Sequence, residues 1–196
     1  TLTPTEISKV FCLRDGWNYL LETLDEPLSL AYLEKLHEII ARFDVGYQYL
    51  GKIRTDEVMI SGTRWRPPVP SNATLDELEH AFQSINNELK PEDTTDVAIG
   101  IGLRLMKLQL FKDGNKRIGS FIANKLLIRY GRGIFNVPVE QDGQFKWELV
   151  KYYESDDMTM LKELIGEYCL DGTNRIQSLS KEPVVTISQE TGPKLM

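Results

Sequence analysis

Residues 111–117 read Phe-Lys-Asp-Gly-Asn-Lys-Arg, and this polar turn separates two apolar segments at 97–110 and 118–127. Both segments have helical character, so the turn lies at the start of the helix predicted to follow it. Backbone N–H groups at a helix start have no partner inside the helix, and the helix dipole adds partial positive charge. The turn is therefore a candidate site for an anion, most often a phosphate, and Asp113 is a candidate ligand for a divalent metal. The alternative is an ordinary solvated turn between helices, because Gly and Asn are common in turns.

Length and composition indicate one domain, or one domain with a small appendage, and allow a normal core. The chain has 196 residues, a net charge of -6 and a sequence pI near 5.1, so its overall charge gives no case for nucleic acid as a partner. No apolar run has the length of a membrane span, so a membrane partner is not expected. Cys12 and Cys169 are isolated in apolar surroundings, which favours reduced thiols and a cytoplasmic protein.

The pattern predicts an all-α, mainly helical fold. Capping boxes are predicted at Thr3–Glu6 and again at 74–77, and Ser29 is the expected cap of the second helix. Gly100 and Gly102 weaken the central helix slightly and allow a close approach to a neighbouring helix. Helices are predicted at about 4–23, 29–43, 74–89, 93–110, 118–130, 144–154 and 157–170.

Residues 44–72 break the helical pattern. The segments 57–61 and 63–65 flank Gly62 and predict a small hairpin, followed by a proline-rich extended stretch at 67–70. Such a hairpin has no partner sheet, so it is expected to lie as a flap on the helical body. The tail at 173–196 has little apolar periodicity and is predicted to be a flexible end or an extended arm.

Positions 109–120 read Gln-Leu-Phe-Lys-Asp-Gly-Asn-Lys-Arg-Ile-Gly-Ser. This stretch resembles the motif of the Fic domain family (Fic/Doc, or Fido, fold), H-x-F-x-[D/E]-G-N-[G/K]-R-x-x-R. Residues 36–40 resemble the early helix of that family, and residues 51–68 resemble its flap region. The resemblance covers about 30–170 and implies, for a domain at 1–172, a Fic/Doc-type helical bundle with a small β-hairpin flap. Six motif positions match in order: Phe111, Asp113, Gly114, Asn115, Lys116 and Arg117.

Most members of this family transfer AMP from ATP to a hydroxyl group of a target protein. The resemblance implies that Asp113 helps to hold Mg2+, that Gly114 and Asn115 hold the phosphates of ATP or another NTP, and that Arg117 neutralises phosphate charge. Lys116 is either a phosphate contact or a solvated residue. The flap residues Val58, Met59 and Ile60 would then dock the target segment by strand addition.

Two departures from the family motif limit the expected chemistry. Gln109 stands where the family has its histidine, the general base that takes the proton from the target hydroxyl. A carboxamide has no useful basicity, and a positioned base is typically worth ~10²–10⁴-fold in rate, so AMP transfer should be slow or absent. Ser120 stands where the last arginine of the motif would contact the terminal phosphate, so ATP binding should be weakened or altered.

Three functions follow from the resemblance. The first is a protein adenylyltransferase-like enzyme with weak or lost activity. The second is a non-catalytic Fic-fold pseudoenzyme that binds nucleotide or a partner. The third is a Doc-like phosphotransferase toxin. The partners implied are a nucleotide and a target protein, with a homo-oligomer or an antitoxin-like inhibitor as further alternatives. His37 and His80 lie in helical patterns and are interpreted as structural.

Overall fold

The computed structural model describes residues 3–172, and its architecture is a bundle of α-helices with one small sheet. The mainly helical class predicted from the sequence is confirmed. Two short strands, β1 (Ile134–Phe135) and β2 (Leu170–Asp171), pair antiparallel. The helices in the described residues are α1 (Pro4–Glu22), α2 (Leu30–Ile40), α3 (Asn72–Glu88), α4 (Thr94–Leu108), α5 (Asn115–Arg129), α6 (Asp142–Ser155) and α7 (Thr159–Tyr168).

The helix starts follow local capping chemistry. Thr3 and Glu6 form the predicted capping box at α1, and Ser29 caps α2. At α3 the predicted box is wrong, because the helix begins at Asn72 and Ser71 is its cap. The Ser71 hydroxyl accepts from the Thr74 N–H at 3.2 Å, so the earlier of two similar residues takes the capping position.

The centre of the bundle is the contact between α4 and α5. A β-carbon at Gly119 would lie 2.3 Å from the Gly102 carbonyl oxygen, and one at Gly102 would lie 2.7 Å from the Gly119 oxygen. The two backbones therefore touch directly, as the predicted close approach at Gly102 requires. Gly100 does not share this contact, because a β-carbon there would meet only Lys162, at 3.5 Å or more.

The predicted hairpin at 57–65 is wrong in its position. These residues are extended or turn-like, and none of them belongs to a strand. The flap they form is held to α6 by side chains: the Thr63 hydroxyl donates to Glu154 at 2.5 Å, and Trp65 stacks on Tyr153 with ring centroids 5.5 Å apart. The segment we call the flap is residues 55–66.

The remaining predictions concern the ends of the chain and its cysteines. Cys12 and Cys169 are both buried and free. Within residues 3–172, no helix combines the length and the apolar character needed to cross a membrane. The predicted tail at 173–196 lies outside the described residues, so the division of the chain at residue 172 stays a prediction.

Candidate functional site

The polar turn between α4 and α5 presents an uncapped helix start. Gly114 has a φ of 81°, a left-handed conformation that suits glycine, and α5 begins at the next residue. No side chain of the described residues caps α5, and the Gly114 N–H donates to the Asp113 carboxylate at 2.5 Å. The N–H groups of residues 115–117 precede the first internal hydrogen bond of α5, so they are free to bind an anion.

Asn115 shapes this turn from the inside. Its side chain is buried, accepts from the Phe111 N–H at 2.9 Å and donates to the Phe111 carbonyl at 2.8 Å. The carboxamide is thus committed to closing the turn. The phosphate contact predicted for Asn115 would therefore have to use its backbone N–H.

Gln109, the residue that the motif resemblance aligns with the family's histidine, is part of the same network. It ends α4 in a left-handed conformation with φ 48°, and its side-chain Nε2 donates to the Met106 carbonyl at 2.6 Å. Its Oε1 accepts from Asn115 at 3.1 Å. The carboxamide joins the end of α4 to the start of α5 and offers no basic nitrogen to a substrate.

Arg54 is a contributor that the sequence reasoning missed. Its side chain is 3% exposed, and its guanidinium donates to the carbonyls of Gln109 at 2.5 Å, Asp56 at 2.7 Å and Pro68 at 2.6 Å. Burial lowers the pKa of Arg54. This arginine fastens both ends of the flap to the end of α4, and its place in the segment 51–68 that resembles the family's flap region is the signal that could have found it.

Arg117 bonds to the end of α2 and to the residues that follow it, and it also lines the cavity at the start of α5. Its Nη1 donates to the Asp44 carboxylate at 2.5 Å and to the Ile40 carbonyl at 3.2 Å. Lys9 of α1 contacts the same carboxylate at 2.8 Å. Burial acts to raise the pKa of Asp44, but hydrogen bonds from Arg117 and Lys9 outweigh it and lower that pKa. A phosphate at the turn would therefore compete with Asp44 for this cation.

Ser120 and Lys116 lie beside a cavity of about 310 Å³ at the start of α5. Lys116 is exposed, and the Ser120 hydroxyl donates to its carbonyl oxygen at 3.0 Å. The aromatic rings of Trp17 and Phe121 line the same cavity. A larger cavity of about 820 Å³ lies between α3 and α4 and contains no residue of the motif's matched positions.

His37, a residue of α2, packs against the turn. It is fully buried, and its ring stacks on that of Phe111 at 4.0 Å between centroids. Burial lowers the pKa of His37, which keeps the ring neutral, while its hydrogen bond to the Asp113 backbone opposes that shift. The structural role predicted for His37 agrees with this position.

The flap residues differ in exposure. Met59 is 78% exposed, whereas Val58 and Ile60 are half-buried. An ion pair between Lys112 and Asp56 joins the flap to the turn. The predicted docking residues therefore lie on a segment whose central side chain faces solvent.

Asp113 is the one predicted metal ligand. Its carboxylate is exposed, and one oxygen accepts from Gly114 while the other has no partner among the described residues. No cluster of three or more His, Cys, Asp or Glu residues that could hold a metal occurs in residues 3–172. This donor set fits Mg2+, which keeps several waters and binds through one or two carboxylates together with substrate phosphates.

The chain matches the model of one known protein family. The chain belongs to the Fic/DOC family, whose model matches residues 27–127. Among curated proteins, none matches this chain.

Solved Fic structures share the fold at low sequence identity. Residues 134–508 of Fic-1 from C. elegans are 18% identical, with a TM-score of 0.72 over 92% of this chain and 53% of that one. A Fic-domain signalling protein from Bacteroides thetaiotaomicron is 18% identical, with a TM-score of 0.66 over 92% and 69%. BepC, a translocated effector of Bartonella tribocorum, is 16% identical, with a TM-score of 0.59 over 80% and 83%. The chain thus spans about half the length of the C. elegans structure.

Proposed function

We propose that this protein binds ATP or another NTP, with Mg2+, at the start of α5, and that it transfers AMP slowly or not at all. The observation that carries the proposal is the uncapped helix start behind Gly114, where three N–H groups have no internal partner. The structure of BepC, which has the same fold, contains bound AMPPNP, and this supports a nucleotide as the ligand.

Each motif residue then has a defined task. The N–H groups of residues 115–117 bind phosphate oxygens, and the Lys116 ammonium adds positive charge at the same place. Asp113 holds Mg2+, which supplies charge neutralisation for the phosphates when it is bound. Arg117 contributes its charge from behind the turn, where Asp44 holds it.

The proton transfer step lacks its base. An acceptor hydroxyl must lose a proton as it attacks phosphorus, and the Gln109 carboxamide is neutral and already bonded at both ends. These bonds favour the non-catalytic nucleotide-binding protein over an active adenylyltransferase or a Doc-like phosphotransferase.

A target protein is the second proposed partner. Within the flap, residues 58–60 are extended, carry no cross-strand pairing within the described residues and expose Met59. An extended peptide would add to it through main-chain hydrogen bonds. The free, buried cysteines Cys12 and Cys169 support a cytoplasmic location as part of the proposal.

Calorimetric titration with Mg2+-ATP tests the binding claim. The wild type should bind, and Asp113→Asn should reduce its affinity to the value measured for ATP in EDTA, because the amide keeps the contact to Gly114 but loses the charge. Asp142→Asn is the matched control, since Asp142 also lies at a helix start, that of α6, and this change should leave the affinity unaltered. No binding by the wild type, or an equal loss in the control, would contradict the proposal.

A further inference from the structure

We propose that His37 is a positioning residue for the nucleotide site. It fixes the Asp113–Gly114 peptide, and through it the metal-binding carboxylate and the free N–H groups of α5. This inference rests on the proposed function for its effect on affinity, and it names a residue outside the motif.

The two ring nitrogens of His37 have different partners, which define its tautomer. The Gly51 N–H donates to Nδ1 at 3.0 Å, so Nδ1 carries no proton. The proton of the neutral ring is therefore on Nε2, which faces the Asp113 carbonyl oxygen at 3.1 Å and donates to it. One imidazole thus joins the turn to the loop that precedes the flap.

Packing around the ring restricts the turn further. The imidazole lies nearly parallel to the Phe111 ring, with an interplanar angle of 6°. A β-carbon at Gly114 would lie 3.6 Å from the near edge of the imidazole. The turn packs against the imidazole of His37 and is anchored by the Phe111 ring, so the Asp113 peptide has little freedom to rotate.

An apolar side chain could fill this space but could not form the two hydrogen bonds of the imidazole. Phenylalanine at position 37 would keep the stack on Phe111 and leave the Asp113 carbonyl and the Gly51 N–H without their partners. Loss of the Asp113 contact would free the peptide plane that aims the carboxylate. Groups that orient metal ligands from behind typically change affinity by about 10- to 100-fold when they are removed.

Three substitutions at position 37 separate positioning from packing. His37→Gln places an amide N–H near the position of Nε2 and keeps a donor for Asp113. His37→Asn keeps only an acceptor for Gly51, and His37→Phe keeps only the stack. Each variant is titrated with Mg2+-ATP. Its Gly114 amide exchange is measured by NMR against that of Leu103, a buried residue of α4 that serves as the reference for global opening.

We expect His37→Asn and His37→Phe to weaken Mg2+-ATP binding by about tenfold or more, and His37→Gln to stay within about threefold of the wild type. Gly114 exchange should accelerate in the first two variants beyond any change at Leu103. If Gln and Asn behave alike in Gly114 exchange, the positioning role is wrong. If the wild type binds no nucleotide, the proposed function fails, and the exchange data still decide the role of His37.

Discussion

The contact between α4 and α5 predicts that Gly119→Ala destabilises the protein. The added β-carbon would lie 2.3 Å from the Gly102 carbonyl oxygen and 2.6 Å from Cγ of Met106. Restoring van der Waals distance requires the helices to separate by about 1 Å. Overpacking of this kind destabilises a protein by about 3 kcal/mol at its upper end. The better helix propensity of alanine offsets about 1 kcal/mol of that loss. We therefore expect the free energy of unfolding to fall by about 2 kcal/mol.

Urea denaturation measures this change, and Gly100→Ala is its matched control. Gly100 lies on the same helix as Gly102, and a β-carbon there would be 3.5 Å from the flexible Lys162 ammonium. That variant should be as stable as the wild type or more stable, by up to about 1 kcal/mol. A Gly119→Ala protein with an unfolding midpoint equal to or above that of the wild type would refute the close contact. Because Gly119 lies one turn into α5, the same shift should also weaken Mg2+-ATP binding.

Three further predictions address the turn, its missing base and a buried lysine. Asn115→Asp keeps the bond from the Phe111 N–H but places a buried carboxylate oxygen against two acceptors, Gln109 Oε1 and the Phe111 carbonyl. Urea denaturation at pH 7 should therefore show that the free energy of unfolding falls by about 3–5 kcal/mol. A fall near zero would contradict the network. Gln109→His should raise transfer of labelled AMP by about 10²–10⁴-fold, and robust transfer by the parent would overturn the argument about the base. Burial lowers the pKa of Lys125 to about 8 from an ordinary 10.5. Between these values the unfolded chain binds the extra proton at this lysine, so the contribution of Lys125 to stability should rise with pH, by about 3 kcal/mol in all. Lys125→Met should remove that rise in denaturation curves, and an unchanged slope would count against the shifted pKa.

Local sequence patterns predicted the helices because their signals lie within a few residues of each other. The capping box at Thr3 and the cap at Ser29 need no knowledge of the rest of the fold. The same chemistry misled at α3, where Ser71 and Thr74 are both acceptable caps by sequence and Ser71, the earlier and better one, takes the position. The hairpin at 57–65 failed because side-chain contacts to α6 replace the strand pairing that alternation predicts.

The candidate site was predictable as a motif but not as a network. The contacts that orient it join residues far apart in sequence: Arg54 to Gln109, Asp44 to Arg117, and His37 to Asp113. Single positions carry no signal for such pairs, since a lone histidine on a helix or an arginine in a loop has many ordinary roles. The departure of Gln109 from the motif was predictable from the sequence, but its bonds to Met106 and Asn115 were not.

A crystal structure with Mg2+ and a non-hydrolysable ATP analogue tests the central claim most directly. We predict phosphate oxygens within hydrogen-bonding distance of the backbone N–H groups of residues 115–117, with the metal on the Asp113 carboxylate. Phosphates bound elsewhere, such as beside Arg104 and Lys107 in the larger cavity, with the start of α5 left empty, would contradict it.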